Sequence, residues 1–171
     1  MTEPTDLLGP RDQERLHRAV RLALDAERSG NLPIAAVIAL GDRIVAEAAN
    51  AVLVPAFHPG RHAEVRALEA VPEVLWPRAA ELTCYTTLEP CVMCFGAFIA
   101  HGVGRVVFGS SDPLSGGTGL IGQLPEYVAA KARAIAWLGP MLPAVCDALR
   151  DRAFERSQAM RRLRRESATG R

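Results

Sequence analysis

His62-Ala63-Glu64 and Pro90-Cys91-Val92-Met93-Cys94 place an imidazole, a carboxylate and two thiols at two points where the chain passes into a helical pattern. Cysteines at i and i+3 in a first helical turn point the same way, and the free N–H groups and positive dipole end there favour thiolate over thiol. Thiolates bind zinc, and a histidine opening a second helix adds a nitrogen, so His62, Cys91 and Cys94 form a candidate metal set. Three protein ligands leave one tetrahedral position for water, which separates a catalytic zinc from a closed structural one. Zinc lowers the pKa of that water from about 15.7 toward about 7. Glu64, two residues past His62, is then placed to take its proton and deliver it to a substrate.

Two other readings use the same residues. A Cys-x-x-C that follows a strand and opens a helix is also the pattern of a thiol redox pair, but that reading leaves His-x-Glu unexplained. A non-catalytic, zinc-containing RNA-binding subunit needs no adjacent carboxylate and normally takes a fourth protein ligand. Cys84, mid-strand, and Cys146, mid-helix, are expected to be small core residues instead. Glu89 is read as a brace behind the metal site or as an acid favouring a helix N-terminus. His17 and His101 are expected to be structural, and Trp76 and Trp137 to lie in the core or at a dimer interface.

The elements that must position these groups follow from periodicity. Leu16, Ala19, Val20, Ala23 and Leu24 recur at helical spacing up to Ser29-Gly30. Residues 32–40 and 43–49, separated by Gly41-Asp42, predict a β-hairpin of two buried strands. A loop spans 50–61, a helix runs from His62 to about Val71, and a strand from Leu82 to Thr87. Cys91 to about His101 reads as a helix entered through Pro90, which suits a first turn. Arg105 to Gly109 is a strand, 110–122 a Gly-rich loop, and Ala132 to Leu138 a fifth strand. A last helix starts near Met141, with Leu142, Val145, Cys146, Leu149 and Ala153 on one side. Alternating strands and helices imply an α/β layer fold.

The 171 residues, 49% apolar and 23% charged, suit one globular domain and exclude a disordered or fibrous chain. We divide it into a loose lead-in (1–10), one domain (11–160) and a basic segment (161–171). The net charge of +1 is uninformative, but Arg150 to Arg171 holds eight arginines against three acids. That run is either a solvated face or a nucleic-acid contact. No apolar run is long enough to span a bilayer and no export signal opens the sequence, so a cytoplasmic location with reduced thiols is expected.

His-Ala-Glu together with Thr-Leu-Glu-Pro-Cys-Val-Met-Cys at 87–94 resembles the H-x-E…P-C-x-x-C signature of the cytidine-deaminase-like zinc deaminases. The resemblance covers roughly residues 15–155. It is stronger to the bacterial tRNA adenosine deaminases, which share Arg105-Val106-Val107-Phe108-Gly109, than to the guanine deaminases. It implies a three-layer α/β/α fold around a five-stranded mixed sheet, one Zn2+ per chain on His62, Cys91 and Cys94, and usually a homodimer. It also implies hydrolytic loss of ammonia from an aminated nucleobase or nucleoside, or from adenosine in a tRNA anticodon loop, with Glu64 carrying the protons. By position, Asn50 and the Ala63 N–H would contact the substrate, and Asp112 would lie near a nucleic-acid path.

The chain departs from that pattern in three places. His58-Pro59-Gly60-Arg61 replaces the usual Asp-Pro-Thr-Ala, which makes His58 a candidate substrate contact at the pocket rim. Ala35 stands where a glycine is usual, and Ser111, Pro113 and Leu114 replace basic residues around Asp112.

Overall fold

The computed structural model describes residues 9–169. Most of the expected lead-in, residues 1–8, lies outside that range. Five strands form one mixed sheet: β1 (Ala35–Leu40), β2 (Arg43–Ala49), β3 (Leu82–Leu88), β4 (Arg105–Ser110) and β5 (Ala136–Leu138). Their order is β2-β1-β3-β4-β5, with β1 antiparallel to both neighbours and β3, β4 and β5 mutually parallel. The parallel half is connected by helices, as parallel neighbours require.

Alternate residues of each central strand serve opposite layers. Ala36, Ile38, Cys84 and Val106 pack with α2 (Ala63–Glu69), α3 (Val92–His101) and α4 (Glu126–Arg133). Val37, Ala39, Tyr85 and Val107 face Leu16 and Ala19 of α1 (Pro10–Arg28). The long α5 (Pro143–Thr169) shares the α1 side, where its Leu149 packs with Ala23 and Ala35. Because both faces of β1 are covered, its sequence is a continuous apolar run without polar alternation. The expected three-layer α/β/α architecture is therefore present.

Several local expectations are corrected. β2 is an edge strand in which only Ala46 is buried, because no strand lies beyond it. The fifth strand is shorter than 132–138: Ala132 and Arg133 close α4, a helix whose small apolar face (Ala129, Ala132) gave no clear sequence signal. A 3-10 segment at Glu73–Glu81 was also not anticipated. Val145 points outward from α5, 43% exposed, while Cys146, Leu149 and Ala153 face inward. Cys146 rests against Gly109, where an added Cβ would lie 2.3 Å from its sulfur. The helix continues unbroken past position 160 to Thr169. No helix among the described residues is long and apolar enough to cross a membrane.

Asp12 fastens α1 to the sheet. Its Oδ1 accepts hydrogen bonds from Tyr85 Oη and Arg105 Nη1, both 2.7 Å, and its Oδ2 accepts from Arg105 Nη2 and Gly9 N, both 3.1 Å. Burial pushes the carboxyl pKa up, but the bonds from Arg105 and Tyr85 outweigh it and the net shift is downward. A depressed pKa means that this stabilisation is complete above the unfolded value of about 3.9 and is lost as pH falls through the folded value. Asp12→Ala is expected to cost about 2–4 kcal/mol at neutral pH, as for a broken, largely buried pair. The gap between wild type and variant, measured by denaturant unfolding, should narrow on acidification below about pH 4.

Candidate metal centre and cavity

The metal-ligating atoms converge because two helices begin at the same place. His62 is the N-cap of α2 and Cys91 the N-cap of α3, and both have extended backbones (φ −69, ψ 150 and φ −64, ψ 168). Pro90 therefore precedes the cap and is not in the first turn as expected. Cys94 lies one turn into α3, and the three expected ligands form one cluster. Cys91 Sγ is 3.5 Å from His62 Nδ1, Cys94 Sγ is 3.6 Å from the same nitrogen, and the sulfurs are 3.7 Å apart. A tetrahedral zinc, with Zn–S about 2.3 Å and Zn–N about 2.0–2.1 Å, spaces its ligands by about 3.6 Å (N to S) and about 3.8 Å (S to S). Zinc fits these donors as they stand.

Electrostatics agree with the geometry. Hydrogen bonding from Cys94, helped by His62 and opposed by burial, holds the Cys91 thiol down to about 4. Cys94 is pushed up by the same bond and by burial. The bond to Cys91 raises the His62 pKa, against the effect of burial. Cys84 is driven up by burial, and Cys146 is pushed up to about 12 for the same reason. These two remain protonated core thiols, as expected, and neither joins the cluster.

Glu64 is buried at the second position of α2, 3.5 Å from Cys94 Sγ through Oε2, and its Oε1 accepts from Thr86 Oγ1 at 3.3 Å. Burial raises its pKa. Thr86, on β3, was not anticipated, since a threonine in a strand carries no signal beyond β-propensity. His62, Glu64, Cys91 and Asn50 open onto one cavity of about 610 Å³. Asn50 is buried and its Oδ1 accepts the Val52 N–H at 3.1 Å, which leaves its amide N–H groups for the cavity. Ala63 opens α2, so its N–H is one of the donors that a helix start leaves unused.

The other two expected contacts, His58 and Asp112, have partners within their own loops. His58 is exposed, its Nδ1 accepts the Gly60 N–H at 3.2 Å, and it does not line the cavity. Asp112 does line the cavity, but its carboxylate is occupied by its own loop, accepting from Leu114 N and Ser115 N at 2.9 Å each and from Ser115 Oγ. Glu89 braces the same loop: Oε2 accepts from Asp112 N at 3.0 Å, and Oε1 from Thr118 N and Oγ1. The loop in turn pairs with the Cys91 segment through Gly117 N to Pro90 O (2.8 Å) and Val92 N to Ser115 O (3.2 Å). A Cβ on Gly116 would come within 2.6 Å of Glu89 Oε1, so only glycine permits this approach.

The far wall comes from α5, whose basic run the sequence left open between a solvated face and a nucleic-acid contact. Phe154, Ser157, Gln158, Arg161, Arg164 and Arg165 of α5 line the cavity with Phe57 and Leu114. Their spacing is helical, but the face mixes polar and apolar types and so gives no hydrophobic stripe.

The family model for the cytidine and deoxycytidylate deaminase zinc-binding region matches residues 10–110. The chain belongs to that deaminase family. It is 36% identical over 112 residues to a tRNA-specific adenosine deaminase of Bacillus subtilis (strain 168), covering 64% of this chain and 68% of the relative. It is 37% identical over 110 residues to the protein of that name in Haemophilus influenzae, covering 63% of each. The chain thus spans about two thirds of the length of these curated relatives. Among solved structures, guanine deaminase from Nitrosomonas europaea superposes with a TM-score of 0.65 at 28% identity, covering 86% of both chains.

As a member of this zinc-binding family, the protein is expected to take up one zinc ion per chain, with loss of the protons on His62 and Cys94. Affinity should therefore rise with pH through the raised His62 pKa and fall on acidification. Competition against a chromophoric chelator across that range measures it. Cys91→Ser should weaken binding by more than about 100-fold, the upper range for removing an outer-sphere partner alone.

Proposed function

We propose that this protein is a hydrolytic deaminase that replaces the exocyclic amine of a nucleobase with oxygen and releases ammonia. The observation that carries this reading is the buried carboxylate of Glu64 beside a three-donor zinc group, both opening onto one cavity. When bound, zinc supplies Lewis acidity at the open tetrahedral position and makes water acidic enough to ionise near neutral pH.

The chain's own residues do the rest. Glu64 accepts one proton from water in the cavity and gives it to the ring nitrogen beside the reacting carbon; it then takes the remaining proton of the added hydroxyl and gives it to the amine, so that the C–N bond breaks as C=O forms and ammonia leaves. A pKa raised by burial suits a group that must both take and give a proton near neutral pH. Asn50 donates to a ring or sugar acceptor, and the Ala63 N–H orients the base over Glu64. Leu32, Ile34, Val52 and Leu88 supply apolar walls that exclude bulk water from the base.

The relatives named tRNA-specific adenosine deaminase support adenosine in a tRNA anticodon loop as substrate, and the structure named guanine deaminase supports a free base. A thiol redox role and a closed structural zinc are both disfavoured: His62 completes a donor set with Cys91 and Cys94, and no fourth protein donor joins it among the described residues. A cytoplasmic setting suits four free cysteines. We take the working unit to be a homodimer, because Val92 and Met93, 56% and 42% exposed, present apolar surface on the first turn of α3. Multi-angle light scattering should give twice the chain mass, and a monomer at all concentrations would refute this assembly.

Glu64→Gln is the decisive variant. It should keep the fold and one zinc per chain but lose turnover by about 10²–10⁴-fold, the usual contribution of a positioned acid–base group. The measurement is ammonia release with product mass spectrometry over bases, nucleosides and an anticodon stem-loop. Undiminished turnover would remove Glu64 from the mechanism.

A further inference from the structure

β3 carries two adjacent threonines, Thr86 and Thr87, both fully buried and each with a different partner. Side chains alternate along a strand, so the two hydroxyls point to opposite faces of the sheet. Thr87 Oγ1 accepts the Ala35 N–H at 3.2 Å, at the start of β1, and so serves the sheet itself. Thr86 shares the face of Leu82 and Cys84, which packs against α2 and α3. Its cross-strand neighbours are Ala36 of β1 and Phe108 of β4.

Nothing in that apolar setting calls for a hydroxyl. Valine has the same branched shape and suits a strand at least as well, whereas a buried hydroxyl without a partner is costly. The partner of Thr86 is Glu64: its Oγ1 donates to Oε1 at 3.3 Å, while Oε2 lies 3.5 Å from Cys94 Sγ. One carboxylate oxygen is thus tied to the sheet, and the other lies beside the metal donors. The α2 backbone alone cannot make this choice, because the last torsion of a glutamate is broad and roughly two-fold. The bond from β3 is what selects one orientation.

We propose that Thr86 is a positioning residue, whose hydroxyl fixes the rotation of the Glu64 carboxyl group so that Oε2 stays beside the metal donors. Its effect on turnover rests on the deaminase reading above, whereas the orientation itself is a property of the fold. Thr86 touches neither the metal donors nor the base, and it acts only through Glu64.

The test compares wild type with Thr86→Val, which keeps the shape, and Thr86→Ser, which keeps the hydroxyl. Crystal structures of the zinc-loaded proteins should show the Glu64 carboxyl of Thr86→Val turned by more than about 30°, beyond the spread of one side-chain conformer. Thr86→Ser should keep the wild-type orientation, and both variants should hold one zinc per chain. On the bases, nucleosides and stem-loop named above, kcat of Thr86→Val should fall by about 10–100-fold at nearly unchanged KM, the scale of misplacing a reacting group by about 1 Å. Thr86→Ser should recover most of that loss. The proposal is overturned if the carboxyl keeps its orientation in Thr86→Val, if Thr86→Val turns over like wild type, or if Thr86→Ser is equally impaired. Loss of the fold or of zinc in Thr86→Val would also overturn it, by showing a structural role. The two readings fail separately. A wild type that deaminates nothing would sink the deaminase assignment and leave the crystal structures to decide Thr86, whereas wild-type turnover indifferent to Thr86 would sink only the positioning role.

Discussion

An N-cap residue must leave the helical backbone conformation, and at His62 and Cys91 that requirement turns a ligand atom back across the start of its own helix. Everything else in the site follows from bringing these two helix starts together. The residues are 29 positions apart, so the sheet has to supply the registration. β2 delivers the chain toward α2, β3 delivers it into α3, and β1 lies hydrogen-bonded between those two strands. Arg66 of α2 reaches back to the Ala49 carbonyl at the end of β2, which fixes the helix against the strand that precedes it. The positive ends of both helices then face thiolate sulfur, so backbone electrostatics and metal chemistry reinforce each other.

The loop after β4 is the second support. Glu89 lies two residues before Cys91 and spans from Asp112 N to Thr118, while Asp112 organises the turn between them. Neither carboxylate is a ligand, yet together they hold the strip of backbone that pairs with Pro90 and Val92. Satisfied buried polar groups of this kind rigidify a site because any displacement leaves several partners unpaired at once. Glu89 and Asp112 thus act on the metal through backbone position.

Much of this was legible in the sequence where one residue type permits few roles. Cys91, Cys94 and His62 were readable because spacing and a helix start restrict what a thiol and an imidazole can do there. The strands of the sheet were readable from unbroken apolar runs, which only doubly covered strands can bury. α4 was not, because an alanine face carries little hydrophobic contrast. The orientation of His58 was hidden for a different reason: a Pro-Gly loop can turn a histidine onto its own backbone, and sequence position does not record that choice. The basic run of α5 was visible in the sequence but its division was not, because only packing against Glu27 or Phe57 tells its arginines apart.

That division within α5 bears on how such a protein can change. The metal floor is locked by reciprocal bonds and a close glycine approach, so almost any alteration there propagates to the ligands. The roof is a helix fastened to α1 through Arg152 and Arg156, whose next turns line the cavity and meet Phe57 through Arg164. The metal group and the outer turns of α5 therefore line one cavity from separate parts of one small chain. A lineage could redraw its preferred molecule by exchanging a few residues on the outer turns of one helix, while the reaction beneath stayed the same.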